Sequence, residues 1–140
     1  MNQYSTVFFD LDGTLTDPKE GIARCIQYAL EQLGGPDFSQ DKLASCIGPP
    51  LRESFGRLLQ TDNNERKEQA LKLYRGRFTT VGWFENSVYP GVQERLADLR
   101  SMHVFLATTK PRVYAERILA HIGLAAYFHG IYGSEMDGRF

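Results

Sequence analysis

An α/β fold, with parallel strands and a helical module inserted after the first of them, follows from three features of the sequence. Thr6-Val7-Phe8-Phe9 is an unbroken apolar and β-branched run, the pattern of a parallel strand buried on both faces. The segment from about 18 to 82 carries helical periodicity and no strand signal. From Val88 onward the pattern becomes helix, strand, helix, strand, as repeated βα units require.

Taken in order, the first strand ends in Asp10-Leu11-Asp12-Gly13-Thr14. Asp17-Pro18-Lys19-Glu20 then offers an N-cap aspartate, a proline at the first helical position and a glutamate three residues past the cap. Ile22, Ile26, Ala29, Leu30 and Leu33 form one apolar face, and Gly34-Gly35-Pro36 ends the helix. A short helix is expected over Asp41 to Ile47, halted by Gly48-Pro49-Pro50, and another is marked by Leu51, Phe55, Leu58 and Leu59. Asn63 or Asn64 caps a longer one with Ala70, Leu71, Tyr74 and Phe78 inward. Lys72, Arg75 and Arg77 read as its solvated face, and Trp83 and Phe84 as packing. After Pro90-Gly91 come a helix carrying Val92, Leu96 and Leu99, a strand from His103 to Thr108, a helix opened by Pro111 and closed by Gly123, and a short strand at Ile131-Tyr132-Gly133. The predicted division is a core of residues 1–17 and 88–140 and a helical insert of 18–87, with hinges near Thr16 to Pro18 and Asn86 to Pro90.

Composition narrows the function. The 140 residues are 42% hydrophobic and 24% charged, with a formal net charge of -1, so no field favours a nucleic acid or a membrane surface. Apolar runs such as Val104-Phe105-Leu106-Ala107 fall far short of the roughly 18 residues of a membrane span. Asp10 and Asp12 arrive before a signal-peptide core could form, so a cytoplasmic address is expected. Cys25 and Cys46 read as buried free thiols, and His103, His121 and His129 lack metal-ligand spacing.

In open parallel sheets ligands gather beyond the carboxyl ends of the strands. The two most polar strand ends here are Asp10-x-Asp12-Gly13-Thr14 and Thr108-Thr109-Lys110-Pro111. Two carboxylates two residues apart can share one substrate, one attacking a phosphoryl group and the other moving protons. Facing a phosphate dianion they need a divalent cation, and Mg²⁺ accepts one or two carboxylates together with phosphate oxygens. Thr108 supplies a hydroxyl, Lys110 a point charge, and the helix after Pro111 its free N–H groups. A calcium loop does not fit, because placing Gly13 sixth puts Phe8 first and Lys19 twelfth.

FFDLDGTLTD resembles the first motif of the haloacid dehalogenase superfamily, and LATTKP resembles its second. IGPPLRESF, TTKP and IYGSEMDG together are similar to its phosphoglycolate phosphatase and 5'-nucleotidase branch. The resemblance implies a three-layer Rossmann-like parallel sheet with an inserted α-helical type 1 cap. It further implies that Asp10 is the nucleophile and Asp12 the general acid and base, that the Asp10 carboxylate and the Asp12 backbone carbonyl ligate Mg²⁺, and that Gly13, Thr108, Thr109 and Lys110 hold phosphate. Thr109 departs from the asparagine of many relatives. The second aspartate favours phosphate esters over carbon–halogen or carbon–phosphorus bonds, so the implied substrate is a small phosphorylated metabolite.

A cap of this type would present its own side chains to the organic part of the substrate, and the turn Gly48-Pro49-Pro50-Leu51-Arg52 is the expected contact, with Arg52 free to pair with a carboxylate or a second phosphate. The family's lysine and acidic Gly-Asp motifs are expected beyond Gly138, while Glu135 and Asp137 lie too early to serve. Without those parts the first strand becomes a sheet edge, and self-association through that edge, low stability and weak activity are the expectations. A non-catalytic chain binding phosphate, metal or a protein partner is the alternative to a phosphatase.

Overall fold

The computed structural model describes residues 4–135 and Arg139. Its elements run β1 (Thr6–Phe9), β2 (Thr16–Asp17), α1 (Lys19–Gln32), α2 (Gln40–Ala44), α3 (Leu51–Leu58), α4 (Asn64–Thr80), β3 (Ser87–Val88), α5 (Val92–Asp98), β4 (His103–Pro111), α6 (Arg112–His121) and β5 (Gly130–Ser134), with short 3₁₀ turns at Gly82–Phe84 and Ala125–Tyr127. The chain divides into two compact units, Met1–Asp17 with Ser87–Phe140, and Pro18–Asn86. No helix is long and apolar enough to cross a membrane among the described residues.

The first unit is the α/β part. Its parallel sheet has the order β1-β4-β5, with Phe8 opposite Phe105 and Leu106 opposite Ile131. Strand alternation divides the sheet into unlike faces. Val104, Leu106 and Thr108 are buried on one, where α6 packs with Tyr114, Ala115, Ile118 and Leu119. Phe8, 61% exposed, stacks on Phe105 at 5.3 Å on the other, and Phe105 tilts toward Tyr132 at 6.0 Å. The expectation that β1 is buried on both faces is therefore corrected: among the described residues β1 is the sheet edge, and an unbroken apolar run does not by itself supply a second covering layer.

The second unit is helical throughout. Ala23, Ile26, Ala29 and Leu30 of α1 meet Leu43, Phe55, Leu58, Ala70, Leu71 and Tyr74 in one buried cluster, with Phe55 edge-on to Tyr74 at 6.4 Å. Ser39 caps α2 and Asn63 caps α4, each accepting from the backbone N–H three residues on. Helix α1 stops as expected, with Gly34 at φ +68° and the Gly35 N–H returned to the Leu30 carbonyl.

Three local expectations are corrected. The start of α1 is shifted by one residue: Pro18, not Asp17, occupies the cap position, and the Asp17 backbone pairs with Ser87 in the two-stranded antiparallel β2–β3 ribbon. That ribbon lies at the two stretches expected to be hinges, and two-residue strands leave too short a pattern to read. Arg77 is not on a solvated face. It is half-buried, donating to Glu85 Oε1 at 2.6 Å and to Cys25 Sγ at 3.2 Å, while Arg24 holds the other Glu85 oxygen. Finally, β4 continues three residues past Thr108, to Pro111.

Candidate active site

The loop after β1 is built by its own backbone. Leu11 carbonyl accepts from Thr14, Leu15 and Thr16, the Gly13 N–H returns to the Thr16 carbonyl at 2.8 Å, and Gly13 sits at φ +78°, a conformation that favours glycine. This tight turn fixes the two aspartates. Asp10 is exposed, and its Oδ1 accepts the Leu11 N–H at 2.7 Å, leaving Oδ2 without a hydrogen bond among the described residues. Asp12 is partly buried, with its Oδ2 held by Lys110 Nζ at 3.0 Å.

Lys110 comes from the end of β4, where the pairing with β5 loses register. Ala107 pairs with Tyr132 and the next partners are Pro111 and Ser134, so Thr108, Thr109 and Lys110 fall in the irregular stretch. Their polar groups are organised locally instead. The Lys110 N–H donates to Thr108 Oγ1 at 3.2 Å, and Ser134 Oγ donates to the Thr109 carbonyl at 3.1 Å. The Lys110 side chain is only 9% exposed, which directs its ammonium to Asp12 rather than to solvent. Close approach of β5 holds the turn in place, because a Cβ on Gly133 would lie 2.6 Å from the Lys110 carbonyl and 2.9 Å from Arg112 Cα.

An open cleft of about 690 Å³ runs past these strand ends, with Asp10, Thr108 and Thr109 among its lining. Five of the residues expected at the site are thus brought into two groups: Asp10 shares the cleft with Thr108 and Thr109, and Asp12 pairs with Lys110. Gly13 shapes the loop. Two further charged residues line the cleft: Arg112, which the sequence pattern did not single out, and Glu135, which it set aside as lying too early. Arg112 follows the motif directly, so its placement at a strand end was a readable signal. Glu135 owes its place to the end of β5.

The turn Gly48, Pro49, Pro50, Leu51 and Arg52 lies in the helical unit. Gly48 adopts φ +106°, and Arg52 Nη1 pairs with Glu68 Oε1 at 2.7 Å. Asp137, also weighed from the sequence, lies outside the described residues.

The matched family model is that of a haloacid dehalogenase-like hydrolase, and it covers residues 7–138. The chain belongs to this family. It is 43% identical to a 5'-nucleotidase of Pseudomonas aeruginosa over 97% of this chain and 62% of that protein. It is 31% identical to a phosphoglycolate phosphatase of Neisseria meningitidis over 92% of this chain and 58% of that protein, and 40% identical to tyrosine-protein kinase PtkA of Mycobacterium tuberculosis over 94% and 45%. A crystal structure from Clostridium difficile superposes with a TM-score of 0.92 at 40% identity, covering 98% of this chain and 64% of that one. This haloacid dehalogenase-like chain therefore spans less than two thirds of the length of these relatives. The parallel sheet and the helical insert after its first strand are the family's architecture, as the motifs imply.

Asp12 Oδ1 is buried without a hydrogen-bond partner among the described residues, an oxygen in want of a proton or a cation. No group of three or more His, Cys, Asp or Glu gathers as a metal cage among the described residues. A site built from two neighbouring carboxylates suits Mg²⁺, which keeps several waters and takes its other ligands from a substrate phosphate.

Proposed function

We propose that this chain carries the nucleophilic half of a phosphomonoester hydrolase that works through an aspartyl phosphate, on a phosphoglycolate-like or 5'-nucleotide-like substrate. The observation that carries the reading is the Asp10 carboxylate at the mouth of the cleft, oriented through Oδ1 by the Leu11 N–H and open at Oδ2. In the first half-reaction an Asp10 oxygen forms a bond to phosphorus as the ester P–O bond breaks, and Asp12 gives its proton to the departing alkoxide. In the second, Asp12 takes a proton from water, whose oxygen attacks phosphorus and releases Asp10 and inorganic phosphate. The Thr108 hydroxyl is free to donate to a phosphoryl oxygen while its lone pair accepts from Lys110 N–H. The Lys110 ammonium at Asp12 Oδ2 offsets the charge that Asp12 acquires when it gives up its proton, so the two carboxylates do not face the phosphoryl group uncompensated. Asp10 and the Asp12 loop would hold Mg²⁺, which when bound neutralises charge on the transferring group.

Asp10→Asn tests the reading. The amide has no nucleophilic oxygen anion, so turnover of p-nitrophenyl phosphate by the full chain should fall by on the order of 10³-fold or more. Turnover within a factor of ten of the parent overturns it.

A further inference from the structure

We propose that Arg112 is a specificity residue that binds a second anionic group, a carboxylate or a second phosphate, on the phosphomonoester whose phosphoryl group meets Asp10. The inference rests on the phosphoryl-transfer reading of Asp10 and deepens it by naming the substrate class.

Four observations converge on this residue. Arg112 is the only cation among the described residues lining the cleft that holds Asp10 and Thr108. Its guanidinium is only loosely held: it forms a half-exposed ion pair with Glu116 Oε1, one helical turn on, at 3.6 Å, a separation too long for a hydrogen bond. Its backbone is fixed, because Gly133 packs so closely on Arg112 N and Cα that a Cβ there would lie 2.9 Å from each. A side chain that is half exposed on a fixed backbone can swing onto a ligand at little cost to the fold. The fourth observation is electrostatic. Of the charged residues lining the cleft, Asp10 and Glu135 repel an anion and Arg112 attracts one, so a second anionic group has Arg112 as its partner there.

The contrast with Arg52 sharpens the assignment. Arg52 was the sequence's choice for a second anion, yet its guanidinium is already paired with Glu68 at 2.7 Å. Arg112 would gain a planar, two-point contact with a carboxylate or phosphate without giving up an existing hydrogen bond.

Binding of two non-hydrolysable phosphonates to the full chain in Mg²⁺ buffer, followed by isothermal titration calorimetry, tests this. Phosphonoacetate carries a carboxylate and methylphosphonate does not. The parent should prefer phosphonoacetate by about ten- to a hundredfold, the scale of a charge-assisted hydrogen bond. Arg112→Gln should erase that preference while leaving methylphosphonate binding within about twofold, and Arg112→Lys, with its point charge but no fork, should retain part of it. Equal binding of both ligands by the parent, or an unchanged preference in Arg112→Gln, overturns the role of Arg112 and leaves the Asp10 reading standing. Loss of the preference in Arg52→Gln but not in Arg112→Gln returns the role to Arg52. Failure of both phosphonates to bind the parent overturns the phosphate site itself, and this proposal with it.

Discussion

The two units of this chain use apolar residues differently. In the helical unit the large side chains close on one another: Phe55, Ile26, Leu30 and Leu43 are fully buried, and the cluster draws on all four of its helices. Among the described residues of the α/β unit, α6 covers one sheet face, while Phe8 and Tyr132 remain more than half exposed on the other. The candidate chemistry sits wholly in the second kind of environment. Asp10, Asp12, Thr108, Lys110 and Arg112 all belong to strand ends of the α/β unit, where the backbone ladder stops and polar groups are left for a ligand. One unit is built to be stable and the other to hold charge at fixed positions.

The largest expected effects test that division directly. Asp10→Asn should remove turnover by on the order of 10³-fold while leaving the thermal midpoint nearly unchanged, because the side chain is exposed and makes one local hydrogen bond. A large drop in the midpoint would mean that the aspartate is also structural. Next, Phe55→Ala in the helical unit should cost about 3–5 kcal/mol by chemical denaturation, since a fully buried ring leaves a cavity that its neighbours cannot fill. A cost below about 1 kcal/mol would break the contrast between the units.

A smaller effect is expected at Glu85, where the chain leaves the helical unit. Burial pushes its carboxyl up, but hydrogen bonds from Arg77 and Arg24 outweigh this and hold it below the usual carboxylate range. With a folded pKa lower than the unfolded one, the ionised group stabilises the fold above about pH 4.3, and that contribution is lost as pH falls through the folded value. Glu85→Gln should thus lower the melting midpoint at pH 7, with the gap to the parent closing as the pH approaches 3. A gap that does not change with pH would assign the effect to packing. The smallest effect is expected on the open sheet face: Phe8→Ser should change stability by no more than about 0.5 kcal/mol, as for an exposed position. A loss of 2 kcal/mol or more, measured in the same denaturant titrations, would show that this face is covered in solution.

Much of the site was legible because its signals are local. Asp10-x-Asp12-Gly13 and Thr108-Thr109-Lys110-Pro111 each occupy one turn at one strand end, and the pattern of a parallel sheet puts such ends on one side. The cap at Asn63 and the stop at Gly34 likewise follow from residue chemistry over a few positions, whereas the Ser39 cap, which starts α2 at Gln40, was not read. What could not be read depends on partners distant in sequence. Arg77 looks like any charged residue of an exposed helix until Glu85 and Cys25 arrive beside it, the latter 52 residues away. Asp17 reads as the residue that starts a helix, and only the arrival of Ser87, 70 residues on, makes it part of a strand.

The sequence by itself determined the family, the order of the helices and of the three sheet strands, and the identity of the acidic and hydroxyl groups, because each is written in contiguous motifs and periodicities. Tertiary structure alone decided which apolar strand has a covered face, that Lys110 turns inward to Asp12, and that Arg52 is held by a close ion pair and Arg112 by a longer one. The physical reason is that burial and ion pairing depend on what the chain brings together from far apart. A run such as Thr6-Val7-Phe8-Phe9 states a preference for burial, and only the layers packed around it can satisfy it.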